Sequence, residues 1–158
     1  MESGLSWYFA YGSNMSAHRL FEERLKPEGI AAGERIPGRL DGWALAFNKR
    51  ARLPVGAGAG NIVLSPGNVV HGTLNLLPVA GFAVLDRYEG VAGGHYERQT
   101  MRVVRSDSGA TVEAITYVAL LTGEALRPTR DYLGHLLAGR DLLPADYCRR
   151  LGETETID

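Results

Sequence analysis

The chain has 158 residues, 45% of them apolar and 22% charged, which suits one globular domain, 1–158, with a substantial core. Its 17 Lys and Arg against 18 Asp and Glu leave a formal net charge of -1, which gives no electrostatic argument for nucleic acid or a membrane surface as partner. Cys148 is the only cysteine, which excludes an intrachain disulfide and a cysteine-built metal site.

In chain order, residues 1–6 lack the basic start and apolar stretch of a signal peptide, and no run approaches the roughly 18 apolar residues of a spanning helix. A cytoplasmic location is therefore expected. Residues 7–11 are short and aromatic, as in a strand, and 16–25 are rich in helix formers with Asn14 or Ser16 as candidate caps. A second strand is expected over 40–47, then a glycine-rich mobile loop over 50–60. Segments 62–64 and 69–76 flank Ser65-Pro66-Gly67-Asn68, which predicts a hairpin. Residues 78–88 read as a helix whose Val79, Phe82, Leu85 and Tyr88 share a buried face, with Gly90 as a left-handed terminator. Segments 96–105 and 111–121 around Ser106-Asp107-Ser108-Gly109 give the strongest hairpin signal in the chain. Two short helices follow near 129–138 and 144–151, and the polar tail from 152 is expected to fray. Strands dominate the middle without strict βαβ alternation. The expected class is α+β, with a curved, mainly antiparallel sheet or small β-barrel and flanking helices.

Two places could carry chemistry. In Tyr11-Gly12-Ser13-Asn14 a glycine follows a strand directly and a helix begins, so free backbone N–H groups could bind a carboxylate or an oxyanion. A turn in which Ser13 and Asn14 only cap the helix fits the local pattern equally well. Glu89 stands between an amphipathic helix and Gly90-Val91-Ala92-Gly93-Gly94. The negative end of the helix and partial burial would raise its pKa towards that of a general base. By position alone, a solvated glutamate is the commoner reading.

Taken together the two segments become familiar. Tyr8-Phe9-Ala10-Tyr11-Gly12-Ser13-Asn14-Met15 resembles the signature loop of the γ-glutamylcyclotransferase family (the AIG2-like fold), and Leu85-Asp86-Arg87-Tyr88-Glu89-Gly90-Val91 with Gly94-His95-Tyr96 resembles its catalytic-glutamate segment. Gly60-Asn61-Ile62-Val63-Leu64-Ser65-Pro66-Gly67 and Val70-His71-Gly72 are similar to its central hairpin. Met15 stands where leucine is commoner in the family, and 50–59 match it poorly. The resemblance implies cleavage of a γ-glutamyl amide by the substrate's own α-amino group, releasing 5-oxoproline and an amine or amino acid. Glu89 would be the general acid/base, and Tyr11, Gly12, Ser13 and Asn14 would hold the glutamyl group. Tyr96 matches a family tyrosine near the bound glutamyl group and suits an ordinary strand aromatic equally well; Tyr117 and Tyr132 fall at the family's pocket positions, but a core role suits each better. No cofactor or metal is implied; the partner is a small γ-glutamyl substrate, and a homodimer is compatible with the sequence. The Tyr-Gly-Ser-Asn form looks more like the branch acting on γ-glutamyl amino acids or γ-glutamyl-protected intermediates.

Other readings have less behind them. A serine hydrolase would pair Ser13 with His18, His71, His95 or His135, but no G-x-S-x-G elbow is present. The dispersed histidines do not make a metal set, and Gly56-Ala57-Gly58-Ala59-Gly60 lacks the lysine and hydroxyl of a phosphate loop. A non-catalytic γ-glutamyl-binding module on the same fold stays open.

Overall fold

The structure, a computed structural model, describes residues 4–158. The reading of residues 1–6 thus lies partly outside the described residues. β1 (Leu5–Ala10) pairs antiparallel with β3 (Gly58–Pro78) and parallel with β5 (Thr111–Ala119). β2 (Arg35–Arg50) pairs with β3 and β4 (Tyr96–Arg105), and β4 with β5, all antiparallel. The order β1-β3-β2-β4-β5 closes into a barrel, so the expected curved sheet is a small five-stranded barrel.

Alternation along β1 divides the core. Phe9 and Tyr11 join Leu40, Ile62, Leu74, Val103 and Ala114, a cluster drawn from the strands and hence the barrel interior. Tyr8 and Ala10 face the other way, into a second cluster with Met15, Leu20, Phe82, Leu85 and Leu136 from the flanking helices.

Several elements depart from expectation. The Ser65-Pro66-Gly67-Asn68 turn does not close a hairpin. Leu64 pairs with Trp43 and Val69 with Asp41, so both flanks lie on β2 and residues 65–68 bulge from one long strand. The turn chemistry itself holds, with Gly67 at φ 89 and the Asn68 amide bonded to Ser65 Oγ at 2.6 Å. The expected 50–60 loop is shorter, because Arg50 already pairs with Gly58. α1 (Val79–Tyr88) buries Phe82 and Leu85, but Val79 and Tyr88 are 71% and 49% exposed. At 3.6 residues per turn a strict three-residue spacing drifts by about 60° a step, so a four-member series cannot stay on one face. Gly90 ends α1 at φ 65, in the left-handed region.

The predicted helix over 16–25 is a 3-10 turn (Ser13–Met15) followed by a π-helix (His18–Leu25). Ser16 caps it, accepting from Arg19 N–H at 3.2 Å. α2 (Arg130–Leu137) starts from Thr129, whose hydroxyl accepts from Tyr132 N–H, and α3 (Ala145–Gly152) follows Pro144. The tail beyond α3 is docked, not frayed: Ile157 N–H bonds to Pro128 O at 3.0 Å, and Arg127 pairs with Glu155 at 2.7 Å. No helix among the described residues is long and apolar enough to cross a membrane.

Candidate active site

β1 runs straight into the 3-10 turn, and α1 ends at Glu89 beside it. Between them lies a cavity of about 170 Å³ lined by Tyr11, Gly12, Ser13, Asn14, Glu89, Tyr96, Tyr117 and Tyr132. Residues read from places far apart in the sequence thus meet around one space. Among the described residues Glu89 is the only carboxyl in that lining.

Its position is fixed from one turn earlier. Asp86 receives a two-pronged bond from Arg98 of β4, at 2.8 and 2.7 Å, and the Tyr117 hydroxyl of β5, at 2.7 Å. The last turn of α1 is therefore tied to the barrel wall. Burial drives the Glu89 pKa up from 4.5 to about 7, against the opposing charges of Arg24, Arg19 and Lys49. Near neutral pH such a carboxyl can take a proton and return it.

The tyrosines divide by where their protons go. Tyr11 donates to Tyr117 O, Tyr96 to Gly60 O at 2.7 Å, and Tyr117 to Asp86, so these three offer the cavity mainly ring surface. Tyr132 instead accepts, from Gly60 N–H at 2.8 Å, and Tyr8 accepts from Asn14 Nδ2 at 3.0 Å. Their own protons have no protein acceptor among the described residues and are free to meet a ligand. Burial first, then the charge of Glu89, pushes the Tyr8 and Tyr11 hydroxyls well above their usual range; burial lifts Tyr132 to about 12. At neutral pH all three are hydrogen-bonding groups and not bases.

Close approach explains two glycines. A Cβ on Gly12 or on Gly60 would stand 3.0 Å from the Tyr132 oxygen, so a larger residue at either position would press on the hydroxyl that sits between the two loops. Among the described residues the Asn14 backbone N–H makes no backbone hydrogen bond and stays available at the cavity wall, while the Ser13 N–H is directed at the Tyr132 oxygen. Asn14 does not cap the helix: its side chain bridges Tyr8 and Arg24.

Arg19, Arg24 and Tyr8 also line the cavity and were not singled out from the sequence. On an α-helix residues five apart diverge by about 140°. The i→i+5 bonding of a π-helix stacks them one turn apart. The signal was in the sequence as a five-residue repeat, Arg19-Leu20 and Arg24-Leu25, in which both leucines are fully buried and both arginines reach the cavity.

No histidine pairs with Ser13. His18 contacts Glu23, His71 meets Tyr147 edge to face, His95 meets Lys49 and His135 meets Arg19, so the hydrolase arrangement is not assembled. Among the described residues no three His, Cys, Asp or Glu side chains gather as metal ligands would.

Against known proteins, a solved structure described as a gamma-glutamyl cyclotransferase superposes with TM-score 0.85 at 24% identity, covering 98% of this chain and 90% of that one. An uncharacterized protein from Homo sapiens superposes with TM-score 0.85 at 25% identity, covering 99% and 91%. A yeast gamma-glutamyl cyclotransferase specific to glutathione shares the fold at TM-score 0.61 and 12% identity, covering 94% of each chain. No functionally curated sequence matches significantly. The sequence profile of the AIG2-like family matches residues 69–151, more than half of the chain and the stretch that carries Glu89. A closed five-stranded barrel, a glutamate at the end of its helix and this profile agree: the chain belongs to the AIG2-like family and has the γ-glutamyl cyclotransferase fold.

Proposed function

We propose that the protein is a γ-glutamylcyclotransferase that releases 5-oxoproline from a γ-glutamyl amide. The observation that carries this reading is Glu89, the one carboxyl among the described lining residues, with its pKa near 7, sharing a cavity with the unpaired Asn14 backbone N–H.

The ionised Glu89 takes a proton from the substrate's α-ammonium. The freed amine attacks the γ-carbonyl carbon, closing a five-membered ring and placing negative charge on the carbonyl oxygen. The N–H of Asn14 and the free hydroxyl protons of Tyr8 and Tyr132 are the donors within the cavity for that oxyanion or the glutamyl carboxylate. As the intermediate collapses, the bond to the leaving nitrogen breaks and Glu89 returns its proton there; the ring nitrogen sheds its second proton through the same carboxylate, and that proton departs with the released amine as its ammonium, so no water is consumed. Ring closure is intramolecular, and well-oriented reactions of that kind reach effective molarities of about 10⁵ to 10⁸ M, so holding the substrate in register supplies much of the rate.

The test is 5-oxoproline release from γ-glutamyl dipeptides, glutathione and γ-glutamylamines by wild type and Glu89→Gln. Wild type should turn over at least one class, and the variant should bind that substrate with at least a 100-fold lower kcat. Near-normal turnover by Glu89→Gln would remove Glu89 from the chemistry.

A further inference from the structure

The cavity holds more positive charge than its single carboxyl answers. Arg19 and Arg24 are its cationic lining residues, against Glu89 alone, which leaves one positive charge in excess even when Glu89 is ionised. Neither guanidinium bonds to a carboxylate among the described residues. Arg24 donates from Nη1 to the Asn14 amide oxygen at 2.9 Å, and its guanidinium carbon lies over the Tyr88 ring, 4.6 Å from the centroid. Arg19 meets His135 Nε2 at 3.3 Å, and its Nε is buried with no partner. Burial and then Arg24 lower the Arg19 pKa; Glu23 and Asp131 act against this from outside the cavity, but neither lines it, so within the cavity the two like charges can still take an anion.

The side on which they lie names that anion. Tyr8, Tyr11, Tyr96 and Tyr117 are all buried and form the closed end, whereas Tyr88, under Arg24, is 49% exposed. The arginines therefore flank the open end, where the leaving group must sit to depart. The γ-glutamyl head is itself a zwitterion with no net charge, so a balancing negative charge has to come from the other half of the substrate. We propose that Arg19 and Arg24 form the subsite for the carboxylate of the departing amino acid, which selects γ-glutamyl amino acids over γ-glutamylamines; this rests on the cyclotransferase reading above.

The test uses two compounds that differ only at that carboxylate, γ-glutamylalanine and γ-glutamylalaninamide. For wild type, kcat/KM should favour the acid by about 10- to 100-fold, the range of a charge-assisted bond. Arg24→Gln and Arg19→Gln should each pull that ratio towards one, and Arg24→Lys should restore part of it through charge without the planar fork. A ratio, unlike a rate, is insensitive to general loss of folded protein. A wild-type ratio near one, or variants that slow acid and amide equally, would overturn the proposal. Kd values for both compounds, measured on Glu89→Gln and on Glu89→Gln carrying Arg24→Gln, separate the two claims. If wild type releases no 5-oxoproline, the cyclotransferase reading fails, and the acid-to-amide Kd ratio still decides the subsite.

Discussion

Glu89 sits where folding and chemistry favour opposite protonation states. Folding buries the carboxyl and prefers it neutral, whereas the proposed base must be ionised. In the folded chain it loses its proton at about 7, and in the unfolded chain at about 4.5. Between those values the folded state holds the extra proton, so stability falls as pH rises from 4.5 to 7 and is level above. The difference amounts to something on the order of 3 kcal/mol. Glu89→Gln has no proton to lose. Its urea midpoint should match that of wild type below pH 4.5 and exceed it at pH 8; coincident curves at both pH values would mean that the carboxyl is not buried as described. Wild-type kcat/KM should rise about tenfold per pH unit below 7 and level off above, as the base form fills. Tyr132 has a comparable dual role. Tyr132→Phe leaves the buried Gly60 N–H without an acceptor and removes a free proton from the cavity. It should cost about 1–3 kcal/mol of stability and lower kcat more than it raises KM; an unchanged kcat would confine Tyr132 to the wall.

The elements differ in how plainly the sequence announces them. Hairpin β4–β5 could be read almost to the residue because its turn has one local solution and its strands pair only with neighbours or across the closure. Glu89 and the Tyr11–Asn14 loop were singled out by resemblance to a family's motifs; local signals alone suited a plain helix cap equally well and favoured a solvated glutamate. The π-helix was not legible, since one extra residue per turn changes every facing relation after it while the composition stays that of an α-helix. That is why Arg19 and Arg24 escaped notice. The 65–68 bulge was misread because a turn motif fixes local geometry, not the partner of the strands beside it. α2 provides a test of element against site. Thr129 caps it by accepting from Tyr132 N–H at 3.0 Å, so the cap and the cavity hydroxyl belong to the same turn. Thr129→Ala should lower stability by about 1 kcal/mol and also weaken substrate binding. A loss of stability with unaltered KM would show that Tyr132 is held from the barrel side alone.

At the scale of the whole molecule, the barrel supplies a closed end and the flanking segments supply the reacting groups. β1 is the common member: Phe9 and Tyr11 fill the interior, Tyr8 faces the helices, and the chain then turns at Gly12 into the cavity wall. Among the described residues β1 and β5 pair in register at two positions, Trp7 with Ala114 and Tyr8 with Ile115, and two side chains, Tyr11 to Tyr117 O and Thr116 to Phe9 O, tie the seam further, so the cavity's end of the barrel also depends on what packs around it. Part of that packing comes from the tail expected to be loose. Ile157 bonds to Pro128 and its side chain lies over Gly56, Glu155 pairs with Arg127, and Asp158 Oδ1 accepts from Arg130 N–H at 2.8 Å. These contacts hold the start of α2 and the β2–β3 turn together. The ion pair is exposed and adds little, while the two bonds to backbone groups and the apolar contact act on segments that frame the cavity. Deleting residues 153–158 should therefore lower the stability by roughly 1–3 kcal/mol and raise KM through a less ordered Tyr132, leaving the pH midpoint of kcat/KM near 7 because Glu89 is set from the other side by α1. A truncated chain with wild-type KM and stability would mean that the tail only rests on the surface; a shifted pH midpoint would mean that it shapes the surroundings of Glu89 as well.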